Sequence, residues 1–432
     1  MLVYTPQITP RIQYIFDFIG KELLQSGFRL TSNKEAFISE SVPSINYSNE
    51  RIKTDEWFLQ PHPILYQKEI SIQDVSCREV SGLKAFFPTK GDFDFDIFAA
   101  SFYLLSRYEE YLPHEKDMYG RYAHQNSIAF REDFLNIPLV NNWLALLKKS
   151  LQQRFPSLAF QTSSFLFLPT YDIDIAWSYK HKGWRRQAGG FARLFFSGKW
   201  KQIGRRMSVL LKKTKDPFDA YGWMNQLHEK YNLKPYYFFL LAKKPGLYDK
   251  NISPAMPAMK ALISDHLIRY PVGIHPSWRS GDEHDLLKEE VAALSDLTRN
   301  PVLSSRQHYI RFHLPETFRR LIANGIRFDF SMGYGSINGF RASLATPFYW
   351  YDLVNESATN LLLFPFCFMD ANSFYEQHDP PERALEEMKH YDKVVKEVNG
   401  TFIMIWHNSF LGTDELYAGW KEVYEKFVST RN

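Results

Sequence analysis

The chain has 432 residues, of which 45% are apolar, 16% aromatic and 23% charged, and its formal net charge is +4. This is the composition of a globular protein long enough for two or three domains, and the charge is too mild to indicate nucleic-acid binding. The two cysteines, Cys77 and Cys367, indicate no disulfide framework, and no apolar stretch reaches membrane-spanning length. The aromatic excess favours a large core, and it is also typical of a cleft in which aromatic faces stack on sugar rings.

Residues 1–160 mix short strand-like pieces with three helical stretches, at 12–27, 96–112 and 139–156. We expect a small α+β domain here, without catalytic residue spacing. Glu109 and Glu110 lie at the end of the second helical stretch and are expected to be solvated. The N-terminus has no export-signal pattern, which favours a cytoplasmic protein.

From residue 163 onwards, seven apolar runs alternate with helical or loop stretches, which predicts a parallel sheet covered on both faces. Seven such units form a closed or nearly closed (β/α) barrel, in which the active site lies at the carboxyl ends of the strands. The runs are SSFLFLPTYDID, KPYYFFLLA, YPVGIHPS, VLSSRQHYI, IRFDFSM, LLLFPFCFMD and TFIMIWHNS.

Residues 179–215 form a densely basic segment that contains no Asp or Glu. Apolar residues recur within it at helical spacing, so it reads as a basic amphipathic helical insertion. Such a segment suits contact with an anionic lipid surface, an anionic glycan or an acidic partner. The alternative is a solvated helix that covers one side of the domain.

Polar side chains come at the carboxyl-terminal end of nearly every apolar run, and in a barrel these ends converge on one mouth. They are Asp172 and Asp174, His275, Arg306 and His308, Asp329 and Ser331, Asp370, and His407 with Asn408.

Asp172 and Asp174 are two positions apart, so both point to the same side of an extended strand. Two carboxylates this close repel each other unless a cation or an arginine separates their roles. Arg306 is one such partner, and the neutral imidazoles of His275 and His308 suit a divalent transition metal. One carboxylate and two histidines leave a coordination position open for water.

These residues resemble the motifs of the polysaccharide deacetylase family (carbohydrate esterase family four and its relatives), and they occur in the family's order over residues 163–425. The motif T-F-D-x-D corresponds to TYDID at 170–174, and a strand that ends in G-x-H and is followed by Ser or Thr corresponds to GIHPS at 273–277. R-x-P-Y is similar to RQHY at 306–309, and L-x-H to IWH at 405–407. The resemblance implies a distorted (β/α)7 barrel over residues 163–430 and a divalent metal, commonly zinc.

The resemblance also implies a metal site with Asp174 and His275 as ligands. The second histidine of the family's H-x-x-x-H motif is replaced by Arg279. His308, where the family has proline, is the replacement ligand that we expect, and His284 is the second candidate.

For catalysis, the resemblance implies Asp172 as the general base and His407 as the general acid. Arg306 would orient Asp172, and Asp329 would steady Arg306. The backbone N–H of Tyr309 would help to hold an oxyanion.

Four further residues are candidates for substrate binding. Trp406 suits a pocket wall, and Tyr334 lies in a glycine-rich loop at a strand end that suits the lining of a cleft. Arg341 either holds a substrate carboxylate or phosphate or braces that loop. Asp370 either contacts substrate or caps the next helix.

The sequence thus predicts a metal-dependent hydrolase that removes an N-acetyl group from a sugar of a bacterial polysaccharide or glycan precursor. It would be cytoplasmic, or peripheral at the inner face of a membrane through residues 179–215, and it would not bind nucleic acid. The alternatives are an amidase or imidase acting on a non-sugar substrate, a non-catalytic glycan-binding barrel, and a membrane or nucleic-acid scaffold.

Overall fold

The computed structural model describes residues 1–24, 26–244 and 246–431. The N-terminal part contains a four-stranded parallel sheet in the order β2-β1-β3-β4 and a short β5-β6 hairpin. Its elements are β1 (Leu2–Tyr4), α1 (Pro10–Leu23), β2 (Arg29–Thr31), α2 (Lys34–Ser39), β3 (Ser44–Tyr47), β4 (Trp57–Leu59), β5 (Arg78–Val80), β6 (Leu83–Ala85), α3 (Ile97–Leu105), α4 (Ile128–Arg131) and α5 (Leu139–Arg154).

Local sequence accounts for the helix boundaries in this part. The Thr9 side chain caps α1 by accepting a hydrogen bond from the N–H of Ile12, and Pro10 takes the first helical position, where no N–H is needed. Helix α3 ends earlier than predicted, because Arg107 adopts a left-handed conformation with φ of 53°. A single turn of 3₁₀ helix follows.

The prediction that Glu109 and Glu110 are solvated is wrong. Both are more than 90% buried, and both carboxylates bind Arg107, while Glu110 also binds Arg341. Buried carboxylates require such partners, and the arginine from the distant second part of the chain could not be found from local spacing.

The second part is built on a nine-stranded mixed sheet in the order β12-β13-β11-β10-β9-β8-β7-β15-β14. All neighbours in it are parallel except β12 and β13. The elements are β7 (Leu166–Ile173), α6 (Gly183–Phe196), α7 (Trp200–Leu210), α8 (Tyr221–Lys230), β8 (Tyr236–Leu240), α9 (Pro257–Leu267), β9 (Val272–His275), α10 (His284–Thr298), β10 (Ser304–Ser305), α11 (Glu316–Ala323), β11 (Phe328–Asp329), β12 (Phe348–Asp352), β13 (Ser357–Leu363), β14 (Phe368–Met369), α12 (Pro381–Glu397), β15 (Thr401–His407) and α13 (Trp420–Ser429).

The structure is therefore mixed α/β with a predominantly parallel sheet, as predicted, although its strand count differs. The run LLLFPFCFMD divides between the end of β13 and β14, because Pro365 has no N–H to donate to a ladder. Strand β12 pairs antiparallel with β13 and was not predicted. Closure into a (β/α)7 barrel stays a prediction.

Helices α6 and α7 lie within the basic segment 179–215 and pack against each other, joined by a short turn at Gly198 (φ 64°). Within the described residues, no helix has the length and apolar character needed to cross a bilayer.

Candidate active site

Strand β7 places two carboxylates beside its neighbours at one end of the sheet. Asp172 pairs in register with His407 of β15, and Asp174 follows directly after the strand. Both carboxylates face the Nε2 atom of His275, at 3.9 Å from Asp172 and 3.2 Å from Asp174. The alternation of side chains along a strand therefore sets the two aspartates on one side, as expected from their spacing.

Asp174, His275 and His308 form a cluster whose three ligand atoms lie within 4.8 Å of one another. The two oxygens of Asp174 are divided between the histidines: Oδ1 lies 3.2 Å from Nε2 of His275, and Oδ2 lies 3.3 Å from Nε2 of His308. Of the two expected replacements for the missing histidine, His308 is in the cluster. His284 is exposed on α10, and Arg279 is paired with Glu283.

The far side of each imidazole ring is fixed by a hydrogen bond. Nδ1 of His275 donates to the carbonyl oxygen of Arg306 at 2.5 Å, and Nδ1 of His308 donates to Oδ1 of Asp249 at 2.8 Å. A donating Nδ1 leaves the lone pair of a neutral ring on Nε2, which is the atom that faces Asp174. This is the usual arrangement around histidine ligands of a metal, with an outer partner setting the ring orientation.

The pKa shifts of Asp174 and His308 indicate that positive charge between them is stabilised. Burial alone would raise the pKa of Asp174, but the neighbouring His308 and His407 hold it well below its usual range. Burial likewise opposes the charge on His308, yet Asp174 and Asp249 raise its pKa to about 9. Oδ1 of Asp174 is buried and makes no hydrogen bond among the described residues. One carboxylate and two imidazole nitrogens fit a divalent transition metal, which would supply that charge.

Asp172 is buried beside the cluster and held by Arg306. Nη1 of Arg306 donates to Oδ1 of Asp172 at 2.8 Å, and Nε donates to the carbonyl oxygen of Phe330 at 3.0 Å. The guanidinium also lies over the ring of Phe238, 4.5 Å from its centroid. The ion pair therefore fixes one carboxylate oxygen and leaves the other, Oδ2, on the side of His275.

His407 and Asp370 form a second fixed pair at the end of β15. Nδ1 of His407 donates to Oδ1 of Asp370 at 2.6 Å, and its backbone N–H donates to Oδ2 at 2.7 Å. Nε2 of His407 lies 3.5 Å from Oδ2 of Asp174. Burial opposes the charge on His407, but Asp370 and Asp174 raise its pKa to about 10. The imidazole is thus held protonated, with Nε2–H facing the cluster.

These groups open into one cavity of about 560 Å³. Asp172, Asp174, His275, His308 and His407 all line it. Its remaining wall is rich in aromatic side chains, namely Tyr119, Tyr248, Tyr309, Tyr375, Phe410 and Tyr417. This shape and lining suit a small polar ligand with flat apolar faces.

The N-terminal part supplies a piece of the cavity wall that the sequence reasoning missed. Met118, Tyr119 and Arg121 line the cavity, and the ring of Tyr119 lies 5.0 Å from that of Tyr309. Nη1 of Arg121 donates to the carbonyl oxygens of Tyr309, at 3.0 Å, and Gly335, at 2.8 Å. Arg121 thereby braces Tyr309, which has a left-handed φ of 60°.

Asp329 was predicted to steady Arg306 and does so only indirectly. Its Oδ2 accepts hydrogen bonds from the hydroxyls of Ser305 and Ser331, and no hydrogen bond joins it to Arg306 in the described part of the chain. Burial raises the pKa of Asp329 to about 6. It binds together the ends of β10 and β11, from which Arg306 projects.

The four residues for which substrate binding was considered are not among the side chains that line the cavity, and their roles stay predictions. Trp406 is fully buried and packs on Trp420 and Tyr424, because it points into the sheet's helical layer rather than towards the mouth. Both carboxylate oxygens of Asp370 accept hydrogen bonds from His407. The other two are held by buried partners from the N-terminal part: Tyr334 by Arg107, and Arg341 by Glu110.

A family of unknown function (DUF7033) matches residues 1–156. Among solved structures, a protein from Mycobacterium smegmatis assigned as a polysaccharide deacetylase is similar with a TM-score of 0.40 and 11% identity, over 62% of this chain and 84% of that one. The polysaccharide deacetylase of Bacillus cereus gives a TM-score of 0.30 and 9% identity, over 62% and 89%. No curated protein sequence matches the chain. Since these likenesses are distant, the geometry of the site carries the functional argument.

Proposed function

We propose that the chain is a metal-dependent hydrolase that removes an acetyl group from an N-acetylated sugar of a polysaccharide or glycan precursor. This proposal rests on three groups of side chains that meet at one cavity wall. They are the Asp174, His275 and His308 cluster, the Asp172–Arg306 pair and the His407–Asp370 pair. Together they provide a metal site, a fixed carboxylate and a fixed imidazolium.

In this proposal Asp174, His275 and His308 hold the metal, most simply zinc. When bound, it supplies a Lewis acid for the acetamide carbonyl and for the attacking water. Because the three residues provide three ligands, coordination positions remain for substrate and water.

Asp172 is the proposed general base. Arg306 holds its Oδ1, so Oδ2 is the oxygen positioned to take the proton of the attacking water. Because Oδ1 already accepts the hydrogen bond from Arg306, Oδ2 is the oxygen left to accept that proton.

His407 is the proposed general acid. Asp370 fixes its Nδ1 and holds the ring protonated, so Nε2–H is available to protonate the departing amine. The N–H of Tyr309 donates no backbone hydrogen bond within the described residues, and we assign it to the developing oxyanion. A donor of this kind contributes about 3–4 kcal/mol to transition-state stabilisation.

The sugar specificity of the proposal rests on the aromatic wall of the cavity, since tyrosine and phenylalanine faces stack on the apolar faces of pyranose rings. The N-acetyl group would then lie at the polar end, between Asp172 and His407.

The test is acetate release from N-acetylated oligosaccharides by the wild type and by Asp172→Asn, with the metal content of both measured. We expect the variant to lose activity by several orders of magnitude while it binds metal as the wild type does. Asp94→Asn, an exposed aspartate of the N-terminal part, is the matched control and should be fully active. An Asp172→Asn protein that is as active as the control would refute the assigned base, and full metal binding with no hydrolysis by the wild type would favour a non-catalytic glycan-binding protein.

A further inference from the structure

The basic segment 179–215 differs sharply in charge from the rest of the chain. It holds twelve of the 52 Lys and Arg residues, and all 48 Asp and Glu residues lie outside it. The segment therefore carries +12, whereas the remainder carries −8. Such a separation creates a local positive field even though the whole chain is nearly neutral.

The same segment exposes large aromatic side chains. Trp184, Phe196 and Trp200 are 76%, 86% and 62% exposed, and Phe195, Met207 and Leu211 are exposed beside them. Exposed apolar side chains are common singly, but six between residues 184 and 211 are an unusual concentration. The ring of Phe195 contacts those of Phe196 and Trp200, so three of these side chains meet where α6 and α7 join.

Polar side chains hold the hairpin of α6 and α7 to the loop after β8 and join its two helices, while Val209 is its buried apolar residue. Arg186 donates to the carbonyl oxygens of Lys250 and Asn251, and Arg206 binds the side chain of Gln187 between the two helices. The carboxylate of Asp216 accepts hydrogen bonds from three backbone N–H groups just before α6, at residues 178–180. These contacts fix the hairpin without using its exposed aromatic residues.

The hairpin also lies next to the cavity. It begins a few residues after Asp174, and Lys250, whose carbonyl oxygen binds Arg186, lines the cavity itself. Whatever the hairpin docks on is therefore brought close to the cavity rim.

We propose that the α6–α7 hairpin docks on a membrane surface that carries anionic lipid headgroups. Lys and Arg side chains would contact the headgroups while Trp184, Phe196 and Trp200 enter the interface, the level at which aromatic rings partition in bilayers. A second copy of the chain fits less well, because two +12 hairpins repel each other across a symmetric interface. The docking does not depend on the hydrolytic reaction.

The experiment is co-sedimentation of the full chain with vesicles of phosphatidylcholine alone and of equal parts phosphatidylcholine and phosphatidylglycerol. The wild type should pellet with the anionic vesicles at least tenfold more than with the neutral ones, and added salt should weaken the binding. Trp184→Ser, Phe196→Ser and Trp200→Ser combined should reduce binding at least tenfold, and so should Arg193→Gln, Lys199→Gln, Lys212→Gln and Lys213→Gln combined.

The matched control combines Ile72→Ser, Ile268→Ser and Leu416→Ser, which are equally exposed apolar residues outside the hairpin, and it should bind as the wild type does. Circular dichroism of all variants verifies that the fold is kept. The proposal is overturned if the wild type ignores lipid charge, if the aromatic variant binds as well as the control, or if a single-stranded oligonucleotide or an acidic polysaccharide is bound more tightly than the anionic vesicles.

Discussion

At the residue scale, the site depends on side chains that do not touch the cavity centre but fix those that do. Asp249 is such a residue, since its Oδ1 accepts the Nδ1–H of His308 and sets the ring so that Nε2 faces Asp174. Asp249 is buried, and its neighbours His308 and the backbone N–H of Trp278 outweigh burial and lower its pKa. It is therefore ionised and stabilises the orientation of His308.

Asp249→Asn should weaken metal binding by about 10- to 100-fold, the cost typical of losing an outer partner of a histidine ligand. Titration of the metal-free protein with zinc in the presence of a competing chelator measures this. Asp282→Asn removes an exposed carboxylate from the same side of the molecule and should bind zinc as the wild type does. Equal zinc affinity in all three proteins would show that Asp249 does not orient His308.

The buried Glu290 on α10 makes stability depend on pH. Burial raises its pKa to about 7, although the backbone N–H of Ser277 donates to it and opposes this effect. The folded state therefore holds this proton more tightly than the unfolded state, and the resulting stabilisation is complete below about pH 4.5 and is lost as the pH rises through 7.

Glu290→Gln should remove this dependence, flattening the fall in the free energy of unfolding between pH 4.5 and 7 by about 3 kcal/mol. Urea denaturation across this pH range provides the measurement. Glu289→Gln changes an exposed neighbour paired with Lys243 and should leave the wild-type slope unchanged. A Glu290→Gln slope identical to that of the wild type would mean that this carboxyl has the same pKa in the folded and unfolded states.

The sequence indicates which residues come together at the strand ends, and the contacts that it does not indicate have a physical reason. Asp172 and Asp174 follow from alternation along an apolar strand, and His275, His308 and His407 from their positions after the next strands. Asp249 lies in a loop without periodicity, 59 residues from His308, so no local pattern connects the two. The buried partners of Arg341 and Tyr334 could not be predicted, because an arginine or tyrosine near a strand end looks the same whether it faces a cavity or a buried side chain.

At the scale of elements, the apolar runs predicted the parallel sheet better than they predicted its strand ends. β7 and β15 are seven or eight residues long, and their sequences mark them clearly. The runs VLSSRQHYI and IRFDFSM predicted β10 and β11, but each strand has only two residues, so its ends could not be read from the run. β12, which pairs antiparallel at the edge, was not predicted. The contribution of residues 118–121 to the cavity was hidden for another reason: it arises from tertiary packing between distant parts of the chain.

Arg121→Ala should lower kcat for acetate release by roughly 10- to 100-fold, because a displacement of about 1 Å at a reacting group costs on that order. The guanidinium holds the carbonyl oxygens of Tyr309 and Gly335, and its loss frees the left-handed turn next to His308. The kinetics are measured at full metal occupancy. As the control, Arg51→Ala removes an exposed arginine of the N-terminal part and should have the wild-type kcat. If Arg121→Ala also has the wild-type kcat, the contacts of Arg121 with Tyr309 and Gly335 do not affect catalysis.

At the scale of the whole molecule, buried ion pairs join the part matched by DUF7033 to the sheet that carries the site. Arg341 donates to both oxygens of Glu110, and Arg11 pairs with Glu356 at the β12–β13 turn. Arg341 and Tyr334 lie in the loop after β11, beside the residues that line the cavity. The N-terminal part therefore lines the cavity and also holds the loop after β11 through buried contacts with Arg341 and Tyr334.

Glu110→Ala should destabilise the protein by about 3–5 kcal/mol, because it leaves Arg107 and Arg341 buried without their shared partner. Guanidinium denaturation followed by circular dichroism and by tryptophan fluorescence measures the loss. Glu79→Ala, at an exposed position of β5, should change stability by less than about 0.5 kcal/mol. A Glu110→Ala protein as stable as this control would show that the two parts do not depend on the ion pairs.

The central claim is that Asp174, His275 and His308 hold a metal that the hydrolytic reaction requires. The most direct measurement is acetate release from N-acetylated oligosaccharides by the wild type, before chelation, after chelation and after addition of one equivalent of zinc. We expect chelation to abolish acetate release by the wild type and zinc to restore it, whereas zinc should not restore activity in His308→Ala. Acetate release that survives complete removal of the metal would contradict it.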